Sequence, residues 1–116
     1  MIFLEYPKCS TCKKAKAWLD RHSISYEMRD IVIDHPTKEE LLKWIQLSNR
    51  PVKTFFNTSG LVYKELNLKE KLDRLSEEEQ IELLASNGKL VKRPMLISHD
   101  IVLSGFKETL WQEKLP

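Results

Sequence analysis

Two cysteines three positions apart, Cys9 and Cys12, are the residues whose types and spacing point most directly to a reaction. A C-x-x-C pair close to a strand–helix–strand pattern is typical of thiol–disulfide exchange. In this chemistry one thiolate attacks an acceptor, and the second sulfur then releases the mixed disulfide. We predict that Cys9 is the nucleophile and that Cys12 is the resolving thiol.

The pattern around the pair predicts a strand, a tight loop and a helix. The apolar run Ile2-Phe3-Leu4 is typical of a buried strand, and it is closed by Pro7. Between Ser10 and Arg21 the apolar residues recur at helical spacing, at Cys12, Ala15, Trp18 and Leu19. Cys9 is therefore expected where the loop meets the helix. Unpaired backbone N–H groups and the helix dipole favour a negative charge at that point.

The side chains around Cys9 also favour a thiolate. Nearby cations lower the pKa of a cysteine below its free value of about 8.5, and four lysines flank the pair: Lys8, Lys13, Lys14 and Lys16. We predict that Cys9 is more acidic than a free cysteine and that Cys12, one turn deeper, is less acidic. Ser10, Thr11 and Ser104 are candidates to donate hydrogen bonds to the thiolate or to a bound anion. For Ser10 and Thr11 helix capping is an equal alternative.

Two other interpretations of the cysteine pair stay open. A structural zinc site needs about four ligands, and this pair supplies only two. The histidines lack the spacing of a zinc finger (His22, His35 and His99), so no metal site is predicted. The second alternative is a pair of ordinary, half-buried and inert cysteines. Exchange between thiols needs no bound cofactor, and we predict none.

The rest of the chain predicts an α/β fold with the element order β-α-β, a helical block and β-β-α. Residues Ile24 to Ile33 suggest a second strand, which a right-handed crossover makes parallel to the first. Near the end, Met95-Leu96-Ile97 and Ile101-Val102-Leu103 predict a hairpin that turns at His99-Asp100. A last helix is predicted from Lys107 to Leu115.

The central segment, residues 36–91, is predicted to be mainly helical. Capping boxes at Thr37-Lys38-Glu39-Glu40 and Ser76-Glu77-Glu78-Glu79 each predict the start of a helix. A short helix at 52–56 and partial helix over 61–75 are expected between them, and Asn87-Gly88 is expected to end the second long helix. We predict that this segment is an insertion in a smaller fold rather than a separate domain.

The composition narrows the class of protein. A chain of 116 residues fits one domain, and 41% hydrophobic with 31% charged residues is typical of a soluble globular protein. A net charge of +2 is too small to indicate nucleic-acid or membrane-surface binding. The N-terminus lacks the pattern of a signal peptide. We therefore expect a cytoplasmic protein, in a compartment where structural disulfides are rare.

The sequence resembles the ArsC/Spx family, which groups glutaredoxin-linked arsenate reductases with the Spx transcriptional regulators. The resemblance is carried by Tyr6-Pro7-Lys8-Cys9-Ser10-Thr11-Cys12-Lys13-Lys14-Ala15, Phe55-Phe56-Asn57-Thr58-Ser59-Gly60, Tyr63, Leu66-Asn67-Leu68, Lys92-Arg93-Pro94 and Val102-Leu103-Ser104-Gly105-Phe106. It implies a thioredoxin-like fold with a mixed central sheet and a helical insertion between strands two and three. Residues 1–35 and 92–116 would form the core of this single domain, and residues 36–91 the insertion.

The resemblance also implies further site residues. Pro94 matches a proline that packs beside the active-site cysteine in a cis peptide. Arg93 matches an arginine that binds an oxyanion or stabilises the thiolate, a task that suits a planar guanidinium. Asn57 and Ser59 are expected at the mouth of the site. The implied function is a reductase that receives electrons from glutaredoxin, glutathione or thioredoxin.

The chain differs from the family's arsenate reductases in the side chains that would donate hydrogen bonds to an oxyanion. Those enzymes carry a histidine shortly before the nucleophile, where Glu5 and Tyr6 stand here, and a mid-chain arginine where Asn57 stands. The Spx branch carries a C-x-x-C redox switch and binds the C-terminal domain of the RNA polymerase α subunit. Spx contacts this domain through a glycine, and Pro51 or its neighbours occupy the corresponding place in this chain. The sequence thus predicts a thiol–disulfide oxidoreductase, with a Spx-like redox-sensing regulator as the alternative.

Overall fold

The computed structural model describes residues 1–115, and it confirms the predicted α/β class with a mixed central sheet. The sheet has four strands in the order β2-β1-β3-β4. Strand β1 runs parallel to β2 and antiparallel to β3, and β3 pairs with β4 as the predicted hairpin. The strands are β1 (Ile2–Glu5), β2 (Glu27–Asp30), β3 (Met95–Ser98) and β4 (Ile101–Ser104).

Helices fill the predicted positions between the strands. The α-helices are α1 (Ser10–Arg21), α2 (Lys38–Ser48), α3 (Leu61–Glu65), α4 (Leu68–Lys71), α5 (Glu77–Ser86) and α6 (Glu108–Lys114). Short 3₁₀ helices occupy Val52–Phe55, Leu72–Arg74 and Gly88–Leu90. Both predicted capping boxes are formed, at Thr37 and at Ser76. No helix within residues 1–115 is long and apolar enough to cross a membrane.

The strand alternation divides the hydrophobic core between the two faces of the sheet. Successive strand residues point to opposite faces, and Phe3 and Leu4 accordingly join different apolar clusters. The Phe3 cluster holds α1 and α6 against one face, through Trp18 and Trp111. The Leu4 cluster packs the central helices against the other face. Residues 36–91 thus cover one face of the sheet, and α1 lies on the opposite face.

Strand β2 is shorter than the sequence predicts. The expected strand ran from Ile24 to Ile33, but only Glu27–Asp30 pairs with β1. The Asp30 carboxylate accepts hydrogen bonds from the backbone N–H groups of Val32 and Ile33 at 2.8 and 3.0 Å. Such a local side-chain turn competes with strand pairing, so the β-branched residues after Asp30 leave the sheet.

The end of α5 falls where the sequence predicts it, at Asn87-Gly88. Asn87 is extended (φ −157°), and Gly88 begins a 3₁₀ turn rather than forming a left-handed cap. A Cβ atom added at Gly88 would lie 1.8 Å from the carbonyl oxygen of Ile31. Gly88 is therefore required by a close backbone approach, which joins the end of the central segment to the loop after β2.

We predict that Gly88→Ala destabilises the fold, because the new methyl group meets fixed backbone rather than a flexible side chain. Overpacking of this kind costs about 1–3 kcal/mol. Urea unfolding followed by tryptophan fluorescence measures the free energy of unfolding. Lys89→Ala, at the exposed neighbouring position, is the matched control and is expected to change it by less than about 0.5 kcal/mol. Equal stabilities of the two variants would contradict the close approach.

Candidate functional site

Cys9 occupies the N-cap of α1, where the sequence predicts it. The chain reaches this point through a tight turn in which the Cys9 N–H donates to the Tyr6 carbonyl at 2.9 Å. The Cys9 sulfur accepts a hydrogen bond from the Cys12 backbone N–H at 3.3 Å. The sulfur therefore takes the place of the side-chain oxygen that usually satisfies an unpaired N–H at a helix start.

The surroundings of Cys9 favour its thiolate. Partial burial raises the pKa of Cys9, but hydrogen bonds from the thiol and the N–H of Cys12 lower it, and so do the charge and hydrogen bond of Arg93. The net effect is a lowered pKa. The largest cationic contribution comes from Arg93 rather than from the flanking lysines. Of these, Lys8, Lys13 and Lys14 are exposed, where solvent screens their charge.

Cys12 has the opposite character. It is completely buried, and burial, together with the hydrogen bond to Cys9 and the charges of Cys9 and Glu5, raises the pKa of Cys12 to about 12. Both cysteines are free thiols here. The negative charge of Glu5, itself a buried side chain, contributes to the raised pKa of Cys12. Cys12 thus remains protonated at neutral pH.

Arg93 is held against an aromatic ring. Its guanidinium carbon lies 4.7 Å from the centre of the Tyr6 ring, a cation–π distance. The Arg93-Pro94 peptide bond is cis, as the family resemblance implied. The Arg93 Nη1 atom is buried and has no hydrogen-bond partner within residues 1–115. Nη1 can therefore donate to the Cys9 thiolate or to an anion in the pocket.

These groups line a pocket of about 410 Å³. Six of the predicted site residues line it: Cys9, Thr11, Asn57, Ser59, Arg93 and Ser104. Three others do not: Ser10 is exposed on α1, whereas Cys12 and Pro94 are buried. The remaining lining residues are Gly60, Lys92, Gly105, Phe106 and Lys107.

The long-range placement of Asn57 depends on a contact between the central segment and the chain that enters β3. The Asn57 N–H donates to the Leu90 carbonyl at 2.7 Å, and the Lys92 N–H donates to the Phe55 carbonyl at 2.8 Å. This short pairing carries the 57–60 loop to the pocket. Sequence reasoning missed Lys92 as a lining residue. Its position next to Arg93 was the available signal.

Metal-binding geometry is not formed by the described residues. Within residues 1–115 no group of three or more His, Cys, Asp or Glu side chains converges as metal ligands would. The arrangement as described is a dithiol with one acidic and one non-acidic sulfur, at the wall of a pocket that also holds a guanidinium. Such an arrangement can attack an electrophilic sulfur and then resolve the product.

Comparison with known proteins identifies the family. The ArsC family model matches residues 4–114. The chain is 50% identical over 113 residues to the uncharacterized protein YusI of Bacillus subtilis, covering 97% of this chain and 96% of that protein. It is 30% identical to the global transcriptional regulator Spx of Streptococcus mutans serotype c, over 99% of this chain and 82% of Spx.

The solved structures agree with this result. A crystal structure of an ArsC family related protein from Bacteroides fragilis superposes with a TM-score of 0.94. The two chains are 60% identical, and the alignment covers 97% of this chain and 94% of the other. The mixed sheet with its helical segment between strands two and three is thus the predicted thioredoxin-like arrangement. The chain belongs to the ArsC family.

Proposed function

We propose that this protein is a thiol–disulfide oxidoreductase in which Cys9 attacks and Cys12 resolves. The observation that carries the proposal is that the pKa values of two neighbouring thiols are shifted in opposite directions. The pKa of Cys9 is lowered and that of Cys12 is raised to about 12. Groups whose environments push their pKa values apart are a common mark of divided chemical roles. Cys9 lines the pocket, whereas Cys12 is completely buried and does not line it.

In the first step the Cys9 thiolate attacks one sulfur of an acceptor disulfide. A bond forms between Cys9 and that sulfur, the acceptor's S–S bond breaks, and the second sulfur leaves as a thiolate that takes up a proton. Arg93 is proposed to stabilise the charge on Cys9 before the attack and on the leaving sulfur after it. Thr11, at the pocket wall beside Cys9, is proposed to donate a hydrogen bond to the same charge.

The second step needs the Cys12 thiolate. Two of the contributions that raise the pKa of Cys12 come from Cys9, as a hydrogen bond and as a charge. Both end when Cys9 enters a mixed disulfide, because its sulfur is then neutral, and the pKa of Cys12 falls, although the contribution of burial remains. Cys12 attacks the Cys9 sulfur and forms the Cys9–Cys12 disulfide, and the bound sulfur leaves, takes up the proton that Cys12 gives up and is released as a thiol. Glutaredoxin, glutathione or thioredoxin is the proposed reductant that restores the dithiol, in the cytoplasm, where such thiols are kept reduced.

We further propose that the whole chain, 1–116, acts as one domain, with a core at 1–35 and 92–116 and an insertion at 36–91. The support is that both parts line one pocket: Asn57 and Ser59 from the insertion, Cys9 and Arg93 from the core. Asn57 holds Ser59 by a hydrogen bond at 3.5 Å and is proposed to shape the pocket mouth. Ser10 is proposed to stabilise the first turn of α1 only. Pro94 is proposed to pack beside the loop that carries Cys9.

We predict that Arg93→Gln makes Cys9 less reactive at neutral pH, because the positive charge that favours its thiolate is removed. The alkylation rate of Cys9 rises with pH as the thiol ionises, so the rate–pH profile should shift to higher pH. A several-fold slower reaction at pH 7 is expected. Cys12 does not interfere, because its pKa of about 12 keeps it protonated over this range.

The matched control for this experiment is Lys13→Gln, which removes an exposed positive charge in the first turn of α1. It should leave the profile nearly unchanged, since an exposed charge is screened. If Lys13→Gln and Arg93→Gln shift the profile equally, the flanking lysines rather than Arg93 stabilise the thiolate. A wild-type midpoint at or above about 8.5, the pKa of a free cysteine, would contradict the proposed role of Cys9.

Cysteine variants test the division of roles. With a small disulfide in excess, the wild-type protein should lose two hydrogen atoms as Cys9 and Cys12 join. Cys12→Ser should instead accumulate a mixed disulfide on Cys9, because no resolving sulfur remains. Cys9→Ser should not react, since Cys12 is buried and protonated. Intact-mass spectrometry distinguishes the three products, and a Cys9→Ser variant that reacts as fast as wild type would refute the proposal.

A redox-sensing regulator of the Spx kind is a second candidate. It is favoured by the 30% identity to Spx over nearly the whole chain. In such a protein the Cys9–Cys12 disulfide would switch binding to the C-terminal domain of the RNA polymerase α subunit. Pro51 is exposed before the 3₁₀ helix Val52–Phe55, and it offers no backbone N–H to a partner.

The regulator candidate predicts binding that depends on the redox state. Reduced and oxidised protein should differ in affinity for the isolated C-terminal domain of the polymerase α subunit, measured by calorimetry. Pro51→Gly restores a backbone donor at the proposed contact and should tighten the complex. Glu113→Gln, at an exposed position of α6 on the other face of the sheet, is the control. Absence of binding in both states would eliminate this candidate and would not affect the proposal of an oxidoreductase.

A further inference from the structure

The two edges of the sheet differ in how well they are protected. The strand order places β2 at one edge and β4 at the other. Strand β2 has the sequence EMRD and is mostly charged, whereas β4 has the sequence IVLS and carries no charge. Charged side chains and prolines commonly keep an exposed strand edge from pairing with other chains. The edge of β4 lacks both devices, so it is open to an added strand.

Two residues of β4 direct their backbone groups to this free edge. The Gly105 N–H donates to the Pro94 carbonyl at 2.8 Å, and these two residues are opposite each other in the continued β3–β4 register. Bonded and non-bonded pairs alternate along an antiparallel ladder, so Val102 and Ser104 occupy non-bonded pairs. Their N–H and C=O groups therefore point away from β3. Within residues 1–115 no turn or loop forms a backbone hydrogen bond with them.

A groove of about 200 Å³ lies along this edge, and we call it the β4 groove. Its floor is β4 itself, at 102–104. One side is formed by Ser48 and Arg50 at the end of α2, and the other side by Leu110 and Lys114 of α6. Helix α2 packs on one face of the sheet and α6 on the other. A groove that touches both helices therefore lies across the edge strand.

Arg50 brings to the groove a cation that is held in place and has an unused donor. Its guanidinium carbon lies 5.1 Å from the centre of the Phe55 ring, and its backbone N–H donates to the Ser48 hydroxyl at 3.2 Å. The Nη2 atom is buried and has no hydrogen-bond partner within residues 1–115. A buried donor without a partner costs free energy, so we expect a hydrogen-bond acceptor to bind at Arg50.

The charge and size of the groove favour an acidic side chain as that acceptor. Lys114 adds a second cation, and within residues 1–115 no aspartate or glutamate lines the groove. A guanidinium binds a carboxylate through paired N–H donors. The volume of about 200 Å³ is below the roughly 300–1,000 Å³ of most small-molecule sites. The groove therefore suits one carboxylate that is carried on a longer chain.

We propose that the β4 groove binds an extended acidic segment of a partner protein, which adds a further strand to the sheet. The segment pairs with the outward backbone groups of Val102 and Ser104, and one of its carboxylates accepts a hydrogen bond from Arg50 Nη2. In strand addition the main chain supplies affinity and the side-chain pockets supply selectivity. The groove shares only Ser104 with the Cys9 pocket, so this docking is a function beyond thiol exchange.

A second copy of this chain fits the same edge less well. Pairing of two β4 strands about a two-fold axis brings the same surface of each copy together. Arg50 and Lys114 of one copy would then face those of the other, and no acidic lining residue within the described 1–115 would offset their charge. Charge complementarity therefore favours an acidic partner over self-association.

Titration of the isotope-labelled protein with synthetic peptides, followed by NMR, tests the proposal. The probe is a short peptide of alternating valine and threonine with one central glutamate. Two matched peptides carry glutamine or lysine at that position, and another keeps the glutamate but has every backbone amide N-methylated. We expect the glutamate peptide to bind most tightly and the lysine peptide least. We also expect hydrogen exchange of the Val102 and Ser104 amides to slow with the glutamate peptide, but not with acetate or with the N-methylated peptide.

The variant Arg50→Gln connects the preference for glutamate to the named donor. It should weaken binding of the glutamate peptide by about tenfold and leave binding of the glutamine peptide nearly unchanged. Lys69→Gln removes an exposed charge on α4, outside the groove, and should change neither affinity. If Arg50→Gln fails to fold, Lys114→Gln at an exposed position replaces it, with an expected loss of roughly two- to fivefold.

The alkylation rate of Cys9 separates this proposal from the oxidoreductase, because it should be the same in Arg50→Gln and in the wild type. Equal affinities for the glutamate, glutamine and lysine peptides would overturn the acidic partner. Binding of the N-methylated peptide as tightly as the parent, or unchanged exchange at Val102 and Ser104, would overturn strand addition. A dimer in light scattering, with these two amides already protected, would assign the edge to a second copy and overturn the proposal as well.

Discussion

The hydrogen bond at the start of α1 organises this site. The Cys12 backbone N–H donates to the Cys9 sulfur at 3.3 Å. The two neighbouring thiols have opposite pKa shifts, lowered for Cys9 and raised for Cys12. The arrangement requires Cys9 at the helix N-cap and Cys12 one turn later, on the buried face. The rest of the structure keeps this turn of helix in place and forms a pocket beside it.

The packing of the sheet explains how the helix start is held. Trp18 and Trp111 fix α1 and α6 against one face, and the central helices cover the other. With both faces occupied, β1 and β3 are fixed in register, which sets the loop before Cys9 beside the loop that carries Arg93. The ring of Tyr6 then limits the positions of the guanidinium. The polar site is thus positioned by apolar packing on either side of it.

The polar groups of the pocket differ from those that the family resemblance implies for arsenate reductases. The resemblance places an arginine where this chain has Asn57, and here Asn57 is hydrogen-bonded to Leu90 and Ser59. The buried donors without a partner within residues 1–115 that line the pocket are Arg93 Nη1 and Ser104 Oγ. In the proposed function, the C-x-x-C pair supplies its own resolving sulfur.

The sequence by itself determined the local features: the span of α1, the two capping boxes, the hairpin and the acidic–buried contrast of the two cysteines. Each depends on neighbouring residues, through helical spacing, side-chain capping or burial on one helix face. Asn57 and Arg93 came from a family resemblance, and Lys92 was missed, because no local pattern records which distant loops meet. The early end of β2 at Asp30 and the backbone approach at Gly88 were likewise decided by tertiary structure. In both, a specific contact overrides the average preference of β-branched residues for strands or of glycine for a left-handed cap.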